Sequence, residues 1–163
     1  MGGEFIGNFA FYGCSEISEV WIGKAVFSIG SSAFAGCAGL TSVNLASSNI
    51  TRIGAYAFAD CAKLTQIDIP ISVTSIGKYA FLNCNSLESI TVPSSVTWIG
   101  DYAFEECLNL TIYCEISSQP DGWDAEWNST GCPVCWGAGE EDDESTGGEQ
   151  GGSFIGQGGF NIG

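Results

Sequence analysis

The chain is expected to fold as a β-rich repeat solenoid, on three observations. The phrase Ile-Gly-x-x-Ala-Phe-x-x-Cys returns five times, beginning at Ile6, Ile29, Ile53, Ile76 and Ile99. The copies are spaced by 23 or 24 residues, a period at which each copy makes one coil that buries its apolar face only by stacking on its neighbours. Between the copies lie short apolar runs with a strand-like alternation and turn residues after them.

The first element of each coil reads apolar-x-x-apolar-x-apolar. Its members are Ile17, Val20 and Ile22; Leu40, Val43 and Leu45; Leu64, Ile67 and Ile69; and Leu87, Ile90 and Val92. Alternation among β-branched residues predicts a strand with one face inward. Pro70 and Pro93 follow it in two copies and predict a turn, where proline's missing N–H is not needed. A second extended segment covers residues 26–29, 50–53, 73–76 and 96–99, with apolar groups three apart. The glycine after it (Gly7, Gly30, Gly54, Gly77, Gly100) is expected to serve either unusual dihedrals or a close backbone approach. In Ala-Phe-x-x-Cys the spacing predicts one helical turn that carries all three side chains on its inner face. Five such coils occupy residues 1–112 and, at ~4.8 Å per stacked strand, extend ~24 Å.

After Leu110 the strand phrase is expected to break, because Thr111-Ile112-Tyr113-Cys114 is too short to repeat it. Residues 113–137 then hold Trp123, Trp127 and Trp136, which are expected to cover the last coil as a cap; an aromatic ligand platform is the competing reading. From Ala138 the composition turns to Glu, Asp, Gly, Ser and Gln, so residues 138–163 are expected to be a disordered acidic and glycine-rich tail or linker. Residues 140–144 lack the spaced Asp/Asn-Gly pattern of a calcium loop.

Charge and composition exclude several classes of function. There are 19 acidic against 4 basic side chains, a formal net charge of -15. Such a body repels phosphate backbones and anionic membranes, so nucleic acid is not an expected partner. The absence of histidine removes the commonest general base and the commonest zinc ligand. No apolar run approaches the ~18 residues of a membrane span. The opening Met-Gly-Gly-Glu-Phe does not resemble a signal peptide. No catalytic residue, metal site or cofactor is expected, and the chain is not expected to be an enzyme. Asn49, Asn109 and Asn128 open sequons that carry meaning only in a glycosylating secretory pathway.

Five of the eight cysteines (Cys14, Cys37, Cys61, Cys84, Cys107) share one repeat position and are expected to form a column of buried free thiols. Cys114, Cys132 and Cys135 lie outside it. Cys132-Pro133-Val134-Cys135 has the spacing of a redox pair, and with Cys114 it offers three of four zinc ligands. A Cys114–Cys132 or Cys132–Cys135 bridge and plain cap packing are the other readings. Packing is favoured, since no histidine completes a metal shell and the motif does not open a helix after a strand.

The phrase Leu87-x-x-Ile90-x-Val92-Pro93, followed by Ser95-Val96-Thr97-x-Ile99-Gly100-x-x-Ala103-Phe104-x-x-Cys107, resembles the BspA-type leucine-rich repeats of bacterial and some protist surface proteins. The likeness covers residues 4–113, and the segment from Tyr113 to Gly137 looks like the motif that closes such arrays. The resemblance implies a leucine-rich-repeat-like right-handed β-rich arc, an extracellular or cell-surface location, and binding or adhesion to a protein or glycan. It also makes the first coil, which carries no N-terminal cap, that of a C-terminal portion of a longer protein; self-association through that coil is the alternative. The expected partner face is the outward side of the strands: Glu19 and Trp21, Ser42 and Asn44, Gln66 and Asp68, Ser89 and Thr91. A passive spacer lifting another domain from the surface is the rival function.

Overall fold

The computed structural model describes residues 3–139, so the expected tail falls outside the described residues beyond Gly139. Within them the chain winds as a parallel β-solenoid of about six turns. Eleven short strands are described: β1 (Glu4–Ile6), β2 (Glu19–Trp21), β3 (Val26–Ile29), β4 (Ser42–Asn44), β5 (Arg52–Ile53), β6 (Gln66–Ile67), β7 (Ser75–Ile76), β8 (Ser89–Val92), β9 (Trp98–Ile99), β10 (Thr111–Cys114) and β11 (Val134–Trp136). Strands one coil apart pair in parallel. The second extended segments form the sheet β1-β3-β5-β7-β9. The first elements form β2-β4-β6 and, further along the axis, β8-β10-β11.

The core is one continuous column. Ile53, Ala57, Phe58, Cys61 and Leu64 are fully buried in one coil, and Ile76, Ala80, Phe81, Cys84 and Leu87 in the next. Phe11, Phe34, Phe58, Phe81 and Phe104 stack nearly parallel along the axis, with ring centroids 5.1 to 5.6 Å apart. The turn after the first element closes on itself in every copy, as in Val73 N–H to Pro70 C=O (2.9 Å) and Val96 N–H to Pro93 C=O (3.0 Å). The 24-residue step puts its extra residue in this turn, at residues 46–49, where Ser48 donates to Leu45 C=O. The strands on either side keep their register.

The glycines after the second strands serve close approach and not unusual dihedrals, since none of the five has a positive φ. A Cβ on Gly54 would lie 2.6 Å from the Gly30 carbonyl carbon, and one on Gly77 2.5 Å from the Ala55 nitrogen.

The expected helical turn is absent. Residues in the left-handed region flank Ala-Phe in each coil: Ser32 (φ 54°) and Gly36 (73°), Tyr56 (56°) and Asp60 (58°), Tyr79 (55°) and Asn83 (58°), Tyr102 (61°) and Glu106 (57°). Alternate N–H groups close local turns, as Ala33 to Gly30 and Cys37 to Phe34. The others leave the coil: Ser32, Phe34 and Gly36 donate to Ala55, Ala57 and Ala59 of the next. A helix would satisfy these donors within its own coil. The turn sends them along the axis and bonds coil to coil.

Strand β10 is also longer than the sequence suggests, with all four of residues 111–114 in register with Ser89–Val92. Beyond it the wall continues in altered form. Asp124 N–H donates to Ile99 C=O, the bond that Gly100 makes to Ile76, and Tyr102 N–H donates to Glu126 C=O. Asp124 reaches back with its carboxylate to Trp98 Nε1 (3.2 Å) and Asp101 N–H (3.1 Å). Trp123 and Trp127 are buried over this end, with Trp127 edge-on to Phe104 at 6.1 Å. Their indole N–H groups donate to Val96 C=O and Gln119 Oε1. Trp136 completes the cluster, half-exposed.

Candidate functional site

The outward side chains of the first-element strands stand in two columns because alternation in a strand sends Val20, Val43, Ile67 and Ile90 inward. Glu19, Ser42 and Gln66 are in register across β2, β4 and β6. Trp21 is in register with Asn44, and Asp68 follows Ile67 on the same side, exposed.

Five of the eight expected face residues come together. Trp21, Ser42, Asn44, Gln66 and Asp68 line a shallow open depression of about 120 Å³ floored by Val43. Trp21 is 76% exposed, so its indole projects as a flat apolar wall. Asn44 is held by its side-chain oxygen, which accepts the Ala46 N–H at 3.1 Å; this leaves the amide nitrogen free to donate outward. Asp68 and Gln66 add acceptors opposite it. Glu19 stands beside the depression at the start of β2. Ser89 and Thr91 lie further along the axis on β8 and do not line it.

The columns run on into positions that the sequence reading did not include. Thr111 and Tyr113 on β10 are in register with Ser89 and Thr91, and Cys135 on β11 with Tyr113. Their signal is the alternation Thr111-Ile112-Tyr113-Cys114, which is that of the earlier strands.

A second column, exposed at Tyr56 and half-buried at Tyr79 and Tyr102, lies on the turn wall. Tyr56, Tyr79 and Tyr102 stack with ring centroids 4.8 and 5.0 Å apart. Beside them Lys78 and Asp101 form an ion pair at 3.1 Å. The aromatic faces cover one another, so this ladder stiffens the wall and offers only ring edges and hydroxyls outward.

The cysteines are mostly buried. All eight are free thiols, with Cys14 and Cys135 exposed and the rest buried. Cys14, expected to be buried with the repeat column, is exposed on the first coil. From the second coil onward each thiol of the column donates to the phenylalanine carbonyl of the preceding coil: Cys37 to Phe11 (3.1 Å), Cys61 to Phe34 (3.3 Å), Cys84 to Phe58 (3.2 Å) and Cys107 to Phe81 (2.9 Å). Cys132, placed outside the repeat by its spacing, joins the end of this column, with its sulfur 3.5 Å from Cys107 C=O. Cys114 points inward from β10, while Cys135 faces solvent from β11. Burial pushes the Cys114 thiol up to about 12 and Cys132 up to about 11, which disfavours the thiolate that redox or metal chemistry needs. Among the described residues no three His, Cys, Asp or Glu side chains gather as a metal-binding group. Among the described residues no helix is long and apolar enough to cross a membrane.

The family model described as the BspA type leucine rich repeat region matches residues 4–119 in six copies. No curated protein matches the chain significantly. Among solved structures, a leucine rich cell surface protein from Faecalibacterium prausnitzii is 37% identical, over 76% of this chain and 31% of that one, with a TM-score of 0.64. The T. pallidum leucine rich repeat protein is 34% identical over 67% and 51% of the two chains, with a TM-score of 0.65. A leucine-rich repeat protein from Bacteroides ovatus is 36% identical over 74% and 30%, with a TM-score of 0.63. The chain thus spans between about a third and a half of the length of these relatives. With six matched copies over residues 4–119 wound as coils of parallel strands, the chain belongs to the BspA-type leucine-rich repeat family.

Proposed function

We propose that this chain is a non-enzymatic binding module of a cell-surface protein, which presents the outward face of its first-element strands to a protein or glycan partner. The observation that carries this reading is the depression between Trp21, Asn44 and Asp68. There an exposed indole, an amide nitrogen with its oxygen already engaged and a carboxylate stand on a rigid parallel ladder, so a partner meets them without first ordering them. An aromatic plane flanked by hydrogen-bonding groups suits a sugar ring or a peptide side chain, whereas the net charge of -15 disfavours polyanions. The family and the cell-surface relative from Faecalibacterium support the location.

The test is binding of the purified chain to a glycan array and to immobilised extracellular matrix proteins, beside a variant with Trp21→Ala, Asn44→Ala and Asp68→Ala. The expected result is retention of at least one ligand class and its loss, tenfold or more, in the variant at unchanged melting temperature. Equal retention by both proteins would remove this face from the function. A chain that retains nothing would be the passive spacer.

A further inference from the structure

The wall that carries the proposed binding face is two sheets and not one. The sheet β2-β4-β6 ends at Gln66–Ile67 and the sheet β8-β10-β11 begins one coil on at Ser89–Val92, with no ladder between β6 and β8. The seam is confined to this wall. Before it along the chain, Phe58 and Asp60 donate to Ala80 and Leu82 across the same two coils, and Ser86 Oγ donates to Ala62 C=O at 2.7 Å. After it, Ser95 Oγ donates to Val73 C=O at 2.7 Å, and Ser75 and Ile76 are in register with Trp98 and Ile99.

Two residues account for the seam. At the junctions before it, Thr41 and Thr65 each give both a backbone N–H and a hydroxyl to one carbonyl of the coil before, that of Ser18 and of Thr41, at 2.7 to 3.0 Å. At the junction after it, Thr111 N–H donates to Glu88 C=O, and Glu115 N–H closes the far end of the strands on Val92 C=O. At the seam itself the threonine's place is taken by Glu88, which has no hydroxyl, and the place of Glu115 by Pro93, which has no N–H. Pro70 stands in that second place one junction earlier, where the Thr65 clamp is present and the ladder forms. Among the described backbone bonds, neither Glu88 N–H nor Ser89 N–H reaches Thr65 C=O. The core registers the gap: Ile69 keeps 8% exposure, whereas its equivalents Leu45 and Val92, one coil to either side, keep 0%.

We propose that this seam is a hinge. The array opens and closes between β6 and β8, pivoting on the bonded turns and second strands to either side, because the wall with its bonds unmade yields before the walls with theirs made. The outward face then works as two plates. One holds the depression between Trp21 and Asp68, and the other carries Thr91 and Tyr113. Flexing changes the angle between the plates and leaves each intact, which is why Ser89 and Thr91 stand apart from the depression. A partner that rests on both plates fixes the angle, while one seated in the depression alone leaves it free. The hinge stands whatever ligand the face takes.

Hydrogen exchange on the whole chain tests this beside two variants, Glu88→Thr and Glu88→Ala. In the parent, the amides of Glu88 and Ser89 should exchange at least tenfold faster, relative to their unstructured rates, than those of Thr65, Thr111 and Gly100. Glu88→Thr supplies the missing hydroxyl and should slow residues 88 and 89 at least tenfold; Glu88→Ala should not. Motion is read between spin labels at Glu19→Cys and Thr111→Cys, about 19 Å apart at four strand spacings, with Cys14 and Cys135 replaced by serine. A broad distance distribution that Glu88→Thr narrows is expected. Protection of Glu88 and Ser89 equal to that of Thr65 would overturn the proposal, since the wall would then be continuous. So would Gly100 exchanging as fast as Ser89, which would mean that whole coils part, or a label distribution that Glu88→Thr leaves unchanged.

Discussion

The rings of Phe34 and Phe58 lie 2° from parallel with centroids 5.4 Å apart, each closing the other's side of the core. The same step is repeated between Phe58 and Phe81 at 5.6 Å, so the central ring is sandwiched on both faces. Phe58→Ala therefore opens a cavity that neither neighbour can fill without breaking its own coil's bonds. The expected loss is about 3–5 kcal/mol, read from urea unfolding. Phe11→Ala, with one face of the ring open, should cost less than half as much.

Glu106 holds a left-handed backbone (φ 57°) at an exposed position where Gly13 and Gly36 stand in earlier coils. A side chain there strains against its own backbone. Glu106→Gly should raise stability by about 1 kcal/mol, seen as a higher melting temperature. The N–H bond from residue 106 to Thr130 Oγ1 is kept, because it uses only the backbone of residue 106.

Thiol accessibility should follow the column. In the native chain an aromatic disulfide reagent is expected to modify Cys14 and Cys135 quickly and the remaining six only after denaturation. A native count above two would show that the Cys37 to Cys132 column opens without global unfolding.

Stability should fall in alkali. Burial pushes Cys61 from its ordinary 9.0 up to about 12, so the folded chain keeps a proton that the unfolded chain releases. The contribution is whole below about pH 9 and is lost as pH rises toward 12, at about 1.4 kcal/mol per pH unit for one such thiol. Urea midpoints at pH 8 and pH 10.5 should differ by less in Cys61→Ala than in the parent.

Trp127→Ala should uncover Phe104 and remove the edge contacts to Trp123 and Trp136. A loss of about 3–5 kcal/mol is expected. The unfolding of the last coils is expected to separate from that of the rest, since each coil leans only on its neighbours. Fluorescence of the remaining tryptophans would report the earlier transition.

Much of this architecture is legible in the residues themselves. Alternation places Val43 and Ile67 inward and Ser42, Asn44 and Gln66 outward, because a strand allows no other arrangement once one face is buried. Ala-Phe-x-x-Cys is different: the same spacing satisfies a helix and a run of tight turns, and the choice depends on where the N–H groups go. Phe34 donates to Ala57, a partner 23 residues away, and no single coil reveals that. One signal was present, since Gly13, Gly36, Asp60 and Asn83 fall in one column and are the types that tolerate a left-handed backbone. Cys132 escaped its column for a simpler reason: it follows Cys107 by 25 residues, and the phrase around it is lost. The meeting of Trp21 with Asp68 across three strands depends on stacking that the sequence implies only as register.

The bonds that join coils all run along the axis, from Thr97 to Thr74 and Thr74 to Thr51 on one wall and from Ser32 to Ala55 on another. A pull applied between the two ends of the array loads them in series. The weakest junction then opens first, and each coil that detaches pays out 23 residues, roughly 75 Å of slack at ~3.3 Å per residue. Anchored between a surface and a partner, such a molecule would yield in steps and remain attached.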